Sequence, residues 1–211
     1  MSNNPLVKIK SGLAAEVCAN FDLTKESQVL LCDGMRPRDF VEALIKNKQY
    51  MAGIDFMAHA LSPREAIWWG CLCMQQACGN NLSAPERAAS MAAVQWVLRP
   101  TEESRVGARC SAQATRAGSP AGALAMAANQ TGGSLISPDI PPMAPEPFAP
   151  AKAVAMAVKW ASVKGDPVKI ADTQRLFVEL GIGVAQGHFV WPEVETGSRS
   201  RSGNDGGLRH G

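Results

Sequence analysis

The sequence predicts an all-α fold, a compact multi-helix bundle, and three observations carry this prediction. Hydrophobic residues make up 46% of the 211 residues but aromatic residues only 6%, so alanine and methionine supply much of the apolar content. That composition favours close-packed helices over a sheet, which is enriched in Val, Ile, Thr and Tyr. Helix-start signals recur along the chain, and apolar residues repeat between them at helical spacing.

The segment from Ser62 to Met74 is the strongest single element. Ser62 can cap a helix, Pro63 suits its first position and Glu65 can close a capping box. The nine residues from Ala66 to Met74 carry no polar side chain, so this helix has no solvated face and belongs at the centre of the core. It is far shorter than the roughly 20 apolar residues that a membrane span needs.

The other elements follow from caps, breakers and periodicity. Two short strands are expected at 7–10 and 28–32, with a helix at 13–20 between them. Helices are then expected from Pro37, around the stripe that begins at Tyr50, and in the following intervals: 63–78, 83–98, 101–115, 119–129, 151–163 and 166–187.

The chain is interpreted as one helical domain over residues 1–195. Six prolines between 134 and 150 predict an extended, proline-rich strap at 134–149, and the Gly, Ser and Arg composition of 196–211 predicts a disordered tail. Met91–Trp96 and Met156–Trp160 resemble one another. An irregular helical repeat is therefore the alternative to a compact bundle.

Five large aromatic side chains are predicted to form the structural core. Four of them are tryptophans and the fifth belongs to the amphipathic stripe of the last helix: Trp68, Trp69, Trp96, Trp160 and Phe177.

The net charge of +2 gives no broad electropositive surface for nucleic acid. No segment is long enough to insert into a membrane, and the first residues contain no signal-peptide core. The six cysteines in a chain of this size are expected to be reduced and buried. A cytoplasmic location is the resulting prediction, and the oligomeric state stays open.

No cofactor or metal site is expected. Cys71, Met74 and Cys78 share one helical stripe while Cys73 points away, which is not the spacing of a structural zinc site. Buried thiols in the core are the preferred interpretation. The glycine patterns of nucleotide-binding loops do not occur either.

An enzymatic alternative rests on four charged or titratable residues where one helix gives way to the next. Asp55 and His59 lie four residues apart, so a carboxylate could orient the imidazole as in a general-base pair. Arg64 and Glu65 follow directly. No nucleophile motif accompanies them, so no catalytic residue is assigned.

The proline-rich strap is the most plausible functional element in the sequence. An extended stretch loses little entropy on binding, and Ile140, Met143 and Phe148 could supply apolar contacts to a partner. The competing and preferred interpretation is that the strap only connects the last two helices to the rest of the domain.

Arg64–Trp69, which reads Arg-Glu-Ala-Ile-Trp-Trp, and the later Ala93–Trp96 carry a family resemblance. They are similar to an uncharacterised family of bacterial proteins with a domain of unknown function, and the stretches 120–133 and 148–187 extend the similarity. Members of that family accompany genes of contractile (type VI) secretion, which implies an accessory, adaptor or chaperone-like role. The resemblance implies no catalytic residues.

The leading hypothesis is a non-enzymatic protein-binding accessory or adaptor protein, chaperone-like for type VI secretion cargo. Its partner would be a protein, either the cargo or another adaptor. Two alternatives remain: an enzyme with an unrecognised site near Asp55, His59, Arg64 and Glu65, and a structural subunit that self-associates.

Overall fold

The computed structural model describes residues 5–132 and 145–192. Its regular secondary structure in these two ranges is entirely helical, which confirms the predicted all-α class. The α-helices are Ala14–Cys18 (α1), Lys25–Gln28 (α2), Pro37–Lys46 (α3), Tyr50–Ala60 (α4), Pro63–Cys78 (α5), Ala84–Leu98 (α6), Glu102–Gln113 (α7), Pro120–Asn129 (α8), Ala149–Ser162 (α9) and Ile170–Ala185 (α10).

Helix α5 lies at the centre of the bundle, as its apolar sequence predicts. It packs against α4, α6, α8, α9 and α10. Each unit of a solenoid contacts only its neighbours, so this arrangement supports the compact bundle over the repeat array. Helices α5 and α8 approach closely at Gly70, where a Cβ atom would overlap the Leu124 side chain of α8.

The core aromatics divide into two groups. Trp69, Phe177 and Trp96 are buried, with Trp96 7% exposed and the other two fully enclosed. Trp68 and Trp160 are only half-buried, so the expectation that both belong to the enclosed core is wrong. The physical reason for Trp68 is that its edge of α5 meets the chain beyond α10, and its indole N–H donates to the Phe189 carbonyl oxygen at 2.9 Å.

The two predicted strands are absent from the described residues. Residues 7 and 8 form a turn, and the Lys8 amide donates to the Ala185 carbonyl oxygen at 2.9 Å. The second segment begins inside α2, which Thr24 caps by accepting from the Ser27 amide. A run of four or five residues needs a neighbouring strand to complete its hydrogen bonds, and helices occupy that space.

Helix caps agree with the sequence at most starts and differ at one. Ser83 and Glu86 form the predicted capping box of α6, and Thr101 caps α7. The predicted box at the start of α5 does not form, because Ser62 makes no capping hydrogen bond. The Glu65 carboxylate instead lies 3.4 Å from the Lys8 ammonium.

The boundaries of the last two helices also differ slightly from prediction. Helix α9 begins at Ala149, so Phe148, the final part of the predicted strap, is its N-terminal cap. Asp166 caps a 3-10 turn, Pro167–Lys169, which leads into α10. Within the described ranges, no helix combines the length and apolar character needed to cross a bilayer.

Candidate functional site

Of the three predicted partner-binding residues, one lies in the described part of the chain. Ile140 and Met143 lie outside the described residues. Phe148 is described, 44% exposed, and adopts a left-handed backbone conformation with φ +61°. Its ring centroid lies 6.1 Å from that of His59, so Phe148 contacts α4 while part of its ring stays in solvent.

His59 sits between two phenylalanine rings. Phe21 stacks on it at a centroid distance of 4.8 Å, and Phe148 lies on it at a tilt. Nδ1 is 2.8 Å from the Asp55 carbonyl oxygen, which can only accept, so Nδ1 carries the proton. Nε2 is buried without a hydrogen-bond partner among the described residues. Burial lowers the pKa of His59, so the ring is neutral at neutral pH.

The Asp55 carboxylate does not orient His59. Both of its oxygens lie 2.6 Å from the Lys159 ammonium of α9, and each of the two side chains is roughly a quarter exposed. The carboxylate therefore ties α4 to α9, and the expected Asp55–His59 side-chain pair does not form.

Arg64 and Glu65 are likewise held by other contacts. Arg64 Nε donates to the Val97 carbonyl oxygen at 2.7 Å, where a cation at the end of α6 is favourable. The guanidinium also lies 4.3 Å from the Trp191 ring centroid, within cation–π range. Glu65 pairs with Lys8. The four residues of the enzymatic alternative thus make separate contacts and do not converge on one point.

Two of the three cysteines of α5 are core residues, and the third, Cys78, is partly buried. Cys71 and Cys73 are buried. Burial raises the pKa of the Cys71 thiol to about 12 and that of Cys73 well above its usual range, so both stay protonated. The described ranges contain no group of three His, Cys, Asp or Glu side chains that could hold a metal ion.

An open groove lies between the α7–α8 connection and the helices α8 and α9. We call it the α8–α9 groove; its volume is about 440 Å³. Met126, Met156 and Trp160 provide its largest apolar side chains, and Met156 is 47% exposed. The rest of the lining consists of Ala112, Thr115, Arg116, Ala117, Gly118, Ser119, Gly122, Ala123, Gln130, Glu146, Ala149, Lys152 and Ala153.

The polar groups of the groove are few and only partly engaged. The Arg116 side chain is exposed and has no ion-pair or hydrogen-bond partner among the described residues. Lys152 reaches Glu146 at 3.9 Å, a distance and exposure typical of a weak surface pair. Gln130 Oε1 is shielded from solvent without a hydrogen-bond partner in the described part of the chain.

The sequence analysis did not predict this groove; its candidate partner contacts lie on the strap, for which a connecting role was the preferred interpretation. Two signals were present: the methionines Met126 and Met156 stand in alanine-rich helices, where most neighbours are too small to fill the space between helices. That α8 and α9 would lie side by side could not be deduced from either helix alone.

Fold and groove together describe an all-α domain with an open, largely apolar groove on its surface. The chain belongs to the family of unknown function DUF6931, whose model matches residues 40–185, from within α3 to the end of α10. The match includes α5 and the whole α8–α9 groove, and leaves α1 and α2 outside. The comparisons with curated proteins and with solved structures gave no match.

Proposed function

We propose that this chain is a non-enzymatic protein-binding accessory or adaptor protein, and that it binds its partner in the α8–α9 groove. The observation that carries the proposal is an open groove of about 440 Å³ whose largest side chains are Met126, Met156 and Trp160. Methionine adapts its shape to different partners, and tryptophan is enriched at the residues that contribute most to binding.

The contacts of the charged residues support a binding role over catalysis. Asp55, Arg64 and Glu65 are engaged in ion pairs or backbone hydrogen bonds that join one element to another. At the α8–α9 groove, in contrast, the Arg116 guanidinium has no ion-pair or hydrogen-bond partner among the described residues.

The setting that we propose is type VI secretion in the bacterial cytoplasm. The support is the resemblance carried by the Arg-Glu-Ala-Ile-Trp-Trp stretch at 64–69, whose family accompanies contractile secretion genes. In that setting the partner would be a secretion cargo or another adaptor, held before export.

Site-directed crosslinking tests the proposal. A photo-crosslinking amino acid in place of Ala117, an exposed residue of the groove, should capture one dominant protein from a lysate of the source organism. The same amino acid in place of Glu26, exposed on α2 and outside the family match, is the control and should capture none. Equal capture at both positions, or capture of a second copy alone, would contradict the proposal.

The predicted strap can be tested in the same assay. Replacing residues 134–144 by a Gly-Ser repeat of equal length removes Ile140 and Met143 and changes none of the described residues that line the groove. Capture at position 117 should persist if the groove is the binding surface. Loss of capture in a folded variant would move the site to the strap.

A further inference from the structure

We propose that the α8–α9 groove recognises a short extended segment of its partner in which an apolar side chain stands close to an Asp or Glu. This inference rests on the proposed function and names the chemistry of the partner. It follows from three properties of the lining: the apolar side chains of the groove, its cationic side chains, and the Gln130 Oε1 atom, which has no donor among the described residues.

The apolar part of the groove selects an apolar side chain. Met126 of α8 faces Met156 and Trp160 of α9 across the space, and alanines line most of the remainder. Burying one aliphatic or aromatic side chain against such a surface favours binding, because apolar area leaves water. A polar side chain would gain nothing there, so this contact requires an apolar residue in the partner.

The cations select a carboxylate beside that apolar residue. Arg116 is exposed and unpaired within the described residues, and Lys152 has only the weak contact with Glu146 at 3.9 Å. Among the described lining residues, Arg116 and Lys152 stand against the single carboxylate of Glu146, so their net charge is positive. An acidic side chain in the partner can accept two parallel hydrogen bonds from the Arg116 guanidinium. Electrostatic complementarity of this kind favours one partner over another.

The Gln130 amide favours an extended backbone over a helix. Its Oε1 is shielded from solvent without a donor in the described residues, which is costly for a polar atom. Since Gln130 lines the groove, a change of rotamer would turn the amide toward an incoming chain. An extended segment presents free backbone N–H and C=O groups along its length, whereas a helix has used most of them internally.

Selection from a peptide library tests the proposal. Displayed random 12-residue peptides are selected on the full chain and counter-selected on Ala153→Arg, which places a long cationic side chain in the groove. We expect the enriched peptides to contain an Asp or Glu within a few residues of an aliphatic or aromatic side chain. Thermal unfolding of Ala153→Arg checks that it is folded.

Charge reversal provides the second variant and does not depend on Ala153→Arg being folded. Arg116→Glu should weaken binding of a selected acidic peptide about fivefold or more, as measured by fluorescence anisotropy. Arg87→Glu makes the same charge change on the exposed face of α6, outside the groove, and should leave the affinity unchanged.

Each result decides between the two proposals. Enriched peptides without acidic residues, or equal losses for Arg116→Glu and Arg87→Glu, would overturn the inference. Absence of any binder would also overturn it, while protein capture at position 117 would still support the adaptor proposal. Absence of both peptide binders and crosslinked protein would contradict the inference and the proposed function together.

Discussion

The indole N–H of Trp69 donates to the main-chain carbonyl oxygen of Phe177 at 2.8 Å, which joins the central helix α5 to α10 inside the core. The two residues are fully enclosed, and Gly181, one turn further along α10, allows the indole to lie close to the backbone. A buried tryptophan usually finds a partner for its N–H. Here that partner belongs to the last helix, so α10 is fixed to the centre of the bundle.

Trp69→Phe should be markedly destabilising. The substitution removes both the bond to Phe177 and part of the packing, and we expect the free energy of unfolding to fall by about 2–4 kcal/mol. Urea denaturation measures the change. Trp68→Phe is the matched control, since Trp68 also donates to a carbonyl oxygen but is half-buried. Trp68→Phe should lower the free energy of unfolding clearly less than Trp69→Phe does. Equal decreases would contradict the central role of Trp69.

Gly70→Ala should destabilise the protein by about 1–3 kcal/mol, because the added methyl group would overlap Leu124 of α8. Gly107→Ala on α7 is the opposite case. No atom lies within 4 Å of a Cβ built there, so the gain in helix propensity should stabilise by about 0.5–1 kcal/mol. Thermal unfolding of both variants tests whether α5 and α8 are in contact. A Gly70→Ala variant as stable as the wild type, or more stable, would contradict the close packing of α5 on α8.

His59 should make the protein less stable in weak acid. Burial lowers the pKa of His59 in the folded state. The charges of Lys152 and Lys159 also lower this pKa, whereas Asp55 raises it. The His59 imidazole therefore binds a proton less readily in the folded chain than in the unfolded chain. Its contribution to the stability of the folded state is fully present above the usual histidine pKa of about 6.5. It is lost as the pH falls below that value toward the lowered folded pKa.

The measurement for His59 is the free energy of unfolding between pH 7.5 and 5.5. His59→Phe keeps an aromatic ring between Phe21 and Phe148 and should flatten the dependence on pH. His210→Gln, outside the described residues, is the control and should keep the wild-type slope. An unchanged slope in His59→Phe would show that the ring does not titrate with folding.

Glu86 connects the starts of α6 and α8 with the loop that follows α9. Its carboxylate accepts from Ser83 Oγ at 2.7 Å and lies near Ser119 and Lys164, and the Ser83 hydrogen bond is the main cause of its lowered pKa. Glu86→Ala should cost about 1–2 kcal/mol. Glu86→Gln should cost less, because glutamine can still complete a capping box.

The acid dependence of these variants provides a second readout. A lowered carboxyl pKa contributes stability that is present above its unfolded value near 4.5 and is lost as the pH falls through the folded value. The free energy of unfolding of both Glu86 variants should therefore fall less steeply below pH 4.5 than that of the wild type. A full wild-type decline in Glu86→Gln would indicate that other carboxylates account for it.

The sequence predicted the elements whose signals are local. Ser83 with Glu86, and Thr101, start helices through contacts three residues apart, and the structure has both caps. The start of α5 carries the same signal at Ser62, yet Glu65 is drawn to Lys8, which is distant in sequence. Local patterns could not predict that competition.

Features that depend on tertiary packing were not predictable in the same way. Trp68 and Trp69 are adjacent and chemically identical, yet Trp69 is enclosed and bonded to Phe177 of α10, whereas Trp68 is half-buried and bonded to Phe189 beyond it. The α8–α9 groove needs α8 and α9 side by side, with Arg116 contributed by the connection before α8. The Asp55–His59 pair was expected from helical spacing, but Lys159, 104 residues away, takes the carboxylate.

Contacts among Lys8, Arg64 and Trp191 join the first described segment of the chain to the last. Lys8 and Arg64 both lie over the Trp191 ring, at 5.9 and 4.3 Å, and the Lys8 amide is bonded to the end of α10. Local unfolding of either the first or the last described segment would disturb the same contacts, those of Lys8 and Arg64 with Trp191. Shortening either flank should therefore loosen the other, and amide exchange there should rise and fall together.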